Sequence, residues 1–174
     1  MFFATTPQPA HAKKEAIPVC PKCKKEGKTV NPVTIKSQVL KEKKESMTND
    51  MDAFCFCTSP ECDVIYYSKD GHEIFYETDI KSKVTIKNDD PSTPLCYCHK
   101  YKKADAMEDM KVLEPKALVK KIRAMIDGEK FCQKANPKGS CCTADIKSWL
   151  AERNIPWETG VKLSPVGTGK PFSV

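Results

Sequence analysis

The sequence lacks any long uninterrupted run of apolar residues. None of its segments approaches the roughly 18–20 consecutive apolar residues that a membrane-spanning helix requires, so no transmembrane segment is predicted. The start of the chain, from Met1 to Pro7, has only a few apolar side chains before a proline. An export signal would need an apolar core of about 7–15 residues there. We therefore expect a cytoplasmic protein, in which thiols stay reduced.

Signatures of a stand-alone enzyme are also missing. The sequence contains no recognisable Ser/His/Asp set, and the segment 167–170 (Gly-Thr-Gly-Lys) lacks the preceding strand and glycine spacing of a phosphate-binding loop. We also find no internal repeat. These absences favour an electron-transfer or other metal-binding protein over a stand-alone enzyme.

The net charge of +6 is not concentrated in one basic arm. The 29 lysines and arginines occur in short clusters that are interrupted by acidic residues. A nucleic-acid binder more often has a continuous basic stripe with interleaved aromatic residues, so nucleic acid is a disfavoured partner. The basic clusters fit an ordinary solvated surface, or one that steers the protein toward an acidic partner or an anionic ligand.

Cysteine, in contrast, is abundant. Ten cysteines in 174 residues, in a chain that is 30% charged, indicate that small modules are stabilised by bound metals or by disulfides. A secreted disulfide framework is the alternative, but it requires an export signal. The predicted reducing compartment favours metal binding.

The pattern of residues predicts an α+β protein with a small zinc-bound β-rich module followed by a helical [2Fe-2S] module. The segment 88–94 (Asn-Asp-Asp-Pro-Ser-Thr-Pro) separates the two halves. The predicted organisation is a flexible leader (1–17), a zinc-binding β module (18–90), a helical [2Fe-2S] module (91–153) and an irregular tail (154–174).

The first half is predicted to be mostly extended. β-branched and aromatic residues favour strands within 30–40, within 53–67 and at 84–86, and the polar segment 41–52 is predicted to be a loop. Asp70-Gly71 is typical of a hairpin turn.

The second half is predicted to be helical. A short helix is expected at 104–110, and a stronger one opens at Glu114-Pro115 and ends at Asp127-Gly128. Its apolar face consists of Leu118, Ile122, Met125 and Ile126. A last helix is expected at 143–153.

A first metal site is predicted at two pairs of cysteines. Cys20 and Cys23 have the two-residue spacer of a zinc knuckle, and Cys57 and Cys62 supply a second pair from a loop between strands. Four thiolates make a closed structural zinc site. Cys55 either replaces Cys57 or is a buried apolar thiol, and we favour the second interpretation.

A second site is predicted in the helical half. Cys96 and Cys98 are suited to holding one iron, and Cys132 with Cys141 or Cys142 can hold the other iron of a [2Fe-2S] cluster. Cys142 is favoured over Cys141 because it lies at the start of a predicted helix, where free amides stabilise negative charge. A second zinc site with the same thiolates is the alternative.

Taken together, four motifs resemble the N-terminal region of the archaeal copper chaperone CopZ, over roughly residues 18 to 153. The motifs are Cys20-Pro21-Lys22-Cys23, the Cys57–Cys62 loop followed by Asp63-Val64-Ile65-Tyr66-Tyr67, Cys96-Tyr97-Cys98, and Cys132 with Asn136-Pro137-Lys138-Gly139-Ser140-Cys141-Cys142.

The resemblance implies a zinc-binding β module joined to a [2Fe-2S] module similar to the bacterioferritin-associated ferredoxin fold. It assigns zinc to Cys20, Cys23, Cys57 and Cys62. It assigns the cluster to Cys96, Cys98, Cys132 and Cys142.

The resemblance also links the chain to copper. It implies reduction of Cu(II) by the cluster electron and delivery of Cu(I) to an export ATPase. This sequence departs from that pattern, because no cysteine follows Cys142 and hence no Met-x-Cys-x-x-Cys copper-carrying motif is present after the cluster module.

Three functions therefore remain open. The leading hypothesis is a one-electron carrier with a structural zinc, acting as a ferredoxin-like subunit or accessory factor of a larger redox enzyme or complex. The alternative is a copper-homeostasis factor that reduces Cu(II) for a separate copper carrier or export ATPase. The third is a non-redox scaffold with two zinc ions.

Overall fold

The structure is a computed structural model that describes residues 18–158. The predicted leader and most of the predicted tail lie outside these residues. Among the described residues, no helix is long and apolar enough to cross a membrane. The strands are β1 (Lys28–Thr29), β2 (Phe54–Phe56), β3 (Val64–Ser68), β4 (Ile74–Tyr76), β5 (Pro94–Cys96) and β6 (Tyr101–Lys102). The helices are α1 (Pro32–Gln38), α2 (Lys41–Glu45), α3 (Lys103–Val112), α4 (Pro115–Asp127), α5 (Cys132–Ala135) and α6 (Thr143–Ala151).

The first half is built on an antiparallel sheet in the order β1-β2-β3-β4. Every residue of β2 and β3 is buried, which explains why these strands read as continuous apolar and aromatic runs. The turn predicted at Asp70-Gly71 is confirmed: it joins β3 to β4, and Gly71 has a φ of 77°. The mixture of sheet and helix agrees with the predicted α+β class.

The prediction of a strand between residues 30 and 40 is wrong. The side chain of Asn31 accepts a hydrogen bond from the backbone N–H of Val33 at 2.9 Å, and Pro32 occupies the first helical turn. This capped start makes the segment a helix despite its β-branched residues. Helix α1 buries Ile35 with two polar residues, Thr34 and Gln38.

Two further expectations for the first half are wrong. The segment 41–52 contains helix α2, whose lysine and glutamate residues include an i,i+4 ion pair between Lys41 and Glu45. Residues 84–86 form no strand, because the segment turns instead, with the Lys87 N–H donating to the Val84 carbonyl at 3.0 Å. The hydroxyl of Tyr97 accepts from the Thr85 N–H at 2.9 Å, so a side chain satisfies a group that would otherwise pair in a strand.

The helices predicted in the second half are confirmed. Helix α4 begins at Pro115 and ends before Gly128, and it buries Leu118, Ile122 and Ile126 on one face. Helix α6 buries Ile146, Trp149 and Leu150, and these residues share one apolar core with α4. The hairpin formed by β5 and β6 was not predicted, and it carries the first cysteines of the second set.

The two halves are in contact through helices α1 and α5. Helix α5 has only four residues and starts at Cys132, so a helix of the zinc-binding half packs directly beside a predicted cluster ligand.

Candidate metal centres

The first pair of cysteines lies in a tight knuckle at the start of the described chain. The Cys20 carbonyl accepts from the Lys24 N–H at 2.9 Å, and the Cys20 N–H donates to the Lys25 carbonyl at 2.9 Å. Lys24 takes a φ of 60° to close this turn. The loop turns so tightly that both thiols point to the same side.

The second pair comes from the loop between β2 and β3. The Cys57 N–H continues the strand pairing by donating to the Ile65 carbonyl at 2.9 Å, and the Cys62 N–H donates to the Ser59 carbonyl at 3.3 Å. The ammonium group of Lys87 donates to the carbonyl of Cys62 at 2.8 Å and ties this loop to the following segment. The sheet thus presents the second pair opposite the knuckle.

The four sulfur atoms meet in one compact group. Those of Cys20, Cys23, Cys57 and Cys62 all lie within 4.8 Å of one another. The Cys20 and Cys62 sulfurs are 4.0 Å apart, and those of Cys23 and Cys57 are 3.7 Å apart. A tetrahedral zinc with Zn–S bonds of about 2.3 Å separates its sulfurs by about 3.8 Å. The donor set and its spacing therefore fit zinc.

Cys55 lies outside this ligand group, although it is fully buried. It sits within β2, where it pairs with Tyr67 on β3 and with Thr29 on β1. Its sulfur lies 4.0 Å from the Thr29 hydroxyl, and burial raises the pKa of its thiol. This environment is that of a packed apolar thiol.

The electrostatics of the first group favour an incoming cation. Burial raises the pKa of Cys57 to about 12. At Cys23, burial also raises the pKa, but hydrogen bonds from the Lys25 N–H and from the Cys57 thiol outweigh it and leave the pKa at about 7. The thiols therefore share protons when they have no cation to neutralise them. Zn²⁺ would take the place of those protons.

Backbone amides support the negative charge at this site in a repeated pattern. The sulfurs of Cys23, Cys57 and Cys62 each accept a hydrogen bond from the backbone N–H two residues later, which opposes the rise in thiol pKa that burial causes. This pattern stabilises thiolates without placing a competing side chain at the metal. The spacing of Cys20 and Cys23 in the sequence does not indicate these backbone hydrogen bonds.

The second set of cysteines is gathered less tightly. Among residues 18–158, no three of the sulfurs of Cys96, Cys98, Cys132 and Cys142 lie within 4.8 Å of one another. The Cys98 and Cys132 sulfurs are 3.5 Å apart, and Cys142 lies near enough to Cys96 for each thiol to shift the pKa of the other. The structure thus brings the predicted residues together as two pairs.

The four thiols line one cavity. The Cys98 sulfur lies beside that of Cys132, while Cys96 and Cys142 each shift the pKa of the other, and the assignment of Cys96 and Cys98 to one iron stays a prediction. Cys96 ends β5 and is buried, whereas Cys98 lies in the following turn and is partly exposed. The bend between them separates two thiols that are adjacent in the sequence pattern.

Cys141 and Cys142 have different surroundings. Cys142 is the N-cap residue of α6 and is buried in the apolar core, and its choice as a cluster ligand stays a prediction. Cys141 is exposed, and its sulfur lies 3.0 Å from the Thr143 hydroxyl. Cys141 still lies near Cys132, since hydrogen bonding between the two thiols contributes to the lowered pKa of Cys141.

Proton sharing also marks the second set. The Cys142 thiol donates toward Cys96 and, with backbone N–H groups, holds the pKa of Cys96 at about 6. The same interaction and burial raise the pKa of Cys142, and burial raises the pKa of Cys132 to about 12. Two close sulfur pairs of this kind have the donor chemistry for a two-iron cluster, which needs four thiolates.

Two further residues that the sequence did not single out line this second site. His99 and Lys130 border the cavity formed by the cysteines, and His99 lowers the pKa of Cys96 electrostatically. Lys130 likewise lowers the pKa of Cys141. Their proximity depends on the turn after β5 and on the end of α4, so no local sequence pattern indicates it.

Comparison with known proteins supports the metal-binding interpretation. Residues 17–81 match the family model for the CopZ-type zinc binding domain. The chain is 28% identical over 137 residues to the copper chaperone CopZ of Archaeoglobus fulgidus, a match that covers 77% of this chain and 60% of that protein. The chain thus spans less than two thirds of this curated relative.

The fold is similar to a solved structure of the same relative. The X-ray structure of the N-terminal domain of A. fulgidus CopZ superposes with a TM-score of 0.63 at 27% identity. The match covers 79% of this chain and 98% of that domain. The first half of the chain, which carries the four gathered thiols, thus resembles the zinc-binding region of this relative.

Proposed function

We propose that the chain is a copper-homeostasis factor that reduces Cu(II) to Cu(I) for a separate copper carrier or export ATPase. The observation that carries this proposal is the likeness to nearly the whole N-terminal domain of A. fulgidus CopZ, a protein described as a copper chaperone. In this proposal the first site holds structural zinc and the second holds a [2Fe-2S] cluster.

The bound zinc would cross-link two segments that are far apart in the sequence. Cys20 and Cys62 are separated by 42 residues, yet their sulfurs lie 4.0 Å apart. A bound Zn²⁺ would therefore fasten the knuckle to the loop between β2 and β3. Three of the four ligands are almost fully buried, and Cys23 is partly exposed, as in a closed structural site rather than one with an open position for substrate.

The second set has the features that an electron-transfer site requires. When bound there, a [2Fe-2S] cluster supplies one electron at a time, so one reduced centre converts one Cu(II) to one Cu(I). Cys96 and Cys142 would hold it on the buried side, and Cys98 and Cys132 on the side nearer the solvent. The partial exposure of Cys98 and Cys132 gives an electron a short path to the surface.

The comparisons favour this function over the ferredoxin-like role that led the sequence interpretation. The relative is described as a copper chaperone, not as a subunit of a redox enzyme. The partner in this proposal is accordingly a copper carrier or an export ATPase.

Metal analysis is the first test. Protein purified anaerobically should be red-brown and contain about two irons and one zinc per chain. Cys142→Ser should lose the iron and keep the zinc, whereas Cys141→Ser should keep both. A colourless protein with two zinc ions would contradict the cluster and support the scaffold hypothesis.

Copper titration is the second test. Protein reduced with dithionite, and freed of excess reductant, should be reoxidised by one equivalent of Cu(II), and a Cu(I)-specific chelator should then recover one Cu(I) per chain. Protein that holds the cluster but is not reoxidised by Cu(II) would rule out copper reduction and restore the ferredoxin-like alternative.

A further inference from the structure

Three polar side chains of the zinc-binding half reach into the segment that follows Cys132. The Thr34 hydroxyl donates to the Gln133 carbonyl at 2.8 Å. The Gln38 amide donates to the carbonyls of Lys134 and Ala135 at 2.6 and 2.9 Å. The Tyr66 hydroxyl donates to the Pro137 carbonyl at 2.6 Å. Four of the five carbonyls from Gln133 to Pro137 thus have a partner in the other half.

The three donors are deeply buried. Thr34 and Tyr66 are fully buried, and Gln38 is 4% exposed. Helix α5 has four residues and leaves its last carbonyls without intrahelical partners. The zinc-binding half satisfies those carbonyls. Pro137 is buried as well, so losing the Tyr66 hydroxyl would leave a buried acceptor unpaired.

The segment that follows α5 is also packed closely against α1, at Gly139. Gly139 has a φ of 65°, and a Cβ atom there would lie 2.6 Å from the Thr34 hydroxyl oxygen. The Gly139 N–H donates to the Asn136 carbonyl, and the Asn136 N–H donates to the Cys132 carbonyl at 2.9 Å. A continuous set of contacts therefore runs from α1 back to the backbone of Cys132.

We infer that Thr34, Gln38 and Tyr66 are positioning residues for Cys132, and that through them the zinc-binding half sets the stability and potential of the second metal centre. This inference rests on the proposed function, because it takes Cys132 as a cluster ligand. None of the three side chains would touch the cluster. They hold the backbone that places the Cys132 sulfur 3.5 Å from that of Cys98.

The arrangement also connects the two metal sites. Tyr66 lies on β3, which begins two residues after the zinc-ligand candidate Cys62. Loss of zinc would loosen the start of β3 and thereby the hydroxyl that holds Pro137. Zinc removal is accordingly expected to loosen the cluster segment, although the two sites share no ligand.

Neighbouring tyrosines offer a matched pair of variants. Tyr66→Phe removes the hydrogen bond to Pro137, across the two halves. Tyr67→Phe removes an equally short bond, 2.6 Å to the Pro18 carbonyl, that stays inside the zinc-binding half. Both variants delete one hydroxyl from β3 and keep the ring. Thr34→Val and its conservative counterpart Thr34→Ser form a second pair, because serine keeps the donor.

We expect Tyr66→Phe and Thr34→Val to lose the cluster to a chelator about fivefold faster than the parent protein, the factor for one ordinary hydrogen bond. They should also shift the reduction potential or the EPR signal of the reduced centre. Thr34→Ser should restore the parent values, and in zinc-loaded protein Tyr67→Phe should leave both readouts unchanged. Equal effects of Tyr66→Phe and Tyr67→Phe would overturn the inference.

Hydrogen exchange separates this inference from the proposed function. Even in protein without iron, Tyr66→Phe should speed exchange of the Asn136 and Gly139 amides about fivefold, and Tyr67→Phe should not. If the protein binds no iron but this difference is observed, the proposed function fails while the positioning contact stands. If iron is bound but neither exchange nor potential responds, the positioning role is refuted alone.

Discussion

Among the described glycines, Gly27 is the one at which an added methyl group would meet its neighbours most closely. A Cβ atom there would lie 2.0 Å from the hydroxyl oxygen of Tyr67, 2.8 Å from its ring and 2.9 Å from the Phe56 carbonyl. Tyr67 is fully buried and cannot swing away, and the carbonyl belongs to β2. We therefore expect Gly27→Ala to force the knuckle and the sheet apart.

The expected cost combines two terms. Overpacking in a close-packed site costs about 1–3 kcal/mol, and displacing the Tyr67 hydroxyl from the Pro18 carbonyl loses a hydrogen bond of about 1 kcal/mol. Gly27→Ala should thus lower the free energy of unfolding by about 2–4 kcal/mol. Because Pro18 lies two residues before Cys20, the zinc affinity should fall as well.

The assay is urea unfolding of the zinc-loaded protein, with zinc affinity measured by competition with a chelator. Gly71→Ala is the control, since Gly71 has a φ of 77° but open space around it, and its substitution should cost only about 1–2 kcal/mol of backbone strain. In a Tyr67→Phe background the added methyl meets one atom fewer, so Gly27→Ala should cost less there by about 1 kcal/mol or more. Strictly additive costs for Gly27→Ala and Tyr67→Phe would refute this account of the contact.

Two other pairs of substitutions test the assignment of the site and of the core. Cys57→Ser should abolish zinc binding, whereas Cys55→Ser should keep one zinc per chain and lose only some stability, because Cys55 packs between strands. Zinc analysis of both variants checks this expectation, and loss of zinc from the Cys55 variant would contradict it. Ile122→Ala, at a fully buried position of α4, should lower the free energy of unfolding by about 2–5 kcal/mol, whereas Val112→Ala, at a side chain that is 79% exposed, should change it by less than about 0.5 kcal/mol. Similar effects of these two variants in thermal unfolding would argue against the observed core.

The amphipathic helices and the cysteine groups were the features most accessible from sequence. Helix α4 has a proline at its start, a glycine after its end and an apolar face between them, and all three signals agree. The first cysteine group was predictable because the Cys20–Cys23 spacing is short and chemically constrained. Local patterns of this kind suffice when one segment supplies most of the information.

Sequence patterns were insufficient where local signals conflicted or where distant segments meet. In α1 the β-branched residues favoured a strand, but the Asn31 cap and Pro32 decided for a helix. The pairing of Cys98 with Cys132 depends on the turn after β5 and on the placement of α5, and neither is encoded in the spacing of the cysteines. The hydrogen bonds from α1 to α5 join residues almost a hundred positions apart, beyond any periodicity argument.

The two close sulfur pairs Cys23/Cys57 and Cys98/Cys132 have a consequence for how the chain finds its fold. Each pair joins residues that are 34 positions apart, so a metal at each site would tie the chain into two loops of equal length. Each closure removes chain entropy worth roughly 4 kcal/mol from the unfolded ensemble, on the relation used for covalent cross-links. With both loops tied, the 99-residue separation between Thr34 and Gln133 shrinks to roughly half along the shortest path. Metal binding would thus reduce the conformational search by which the two halves of the unfolded chain come into contact.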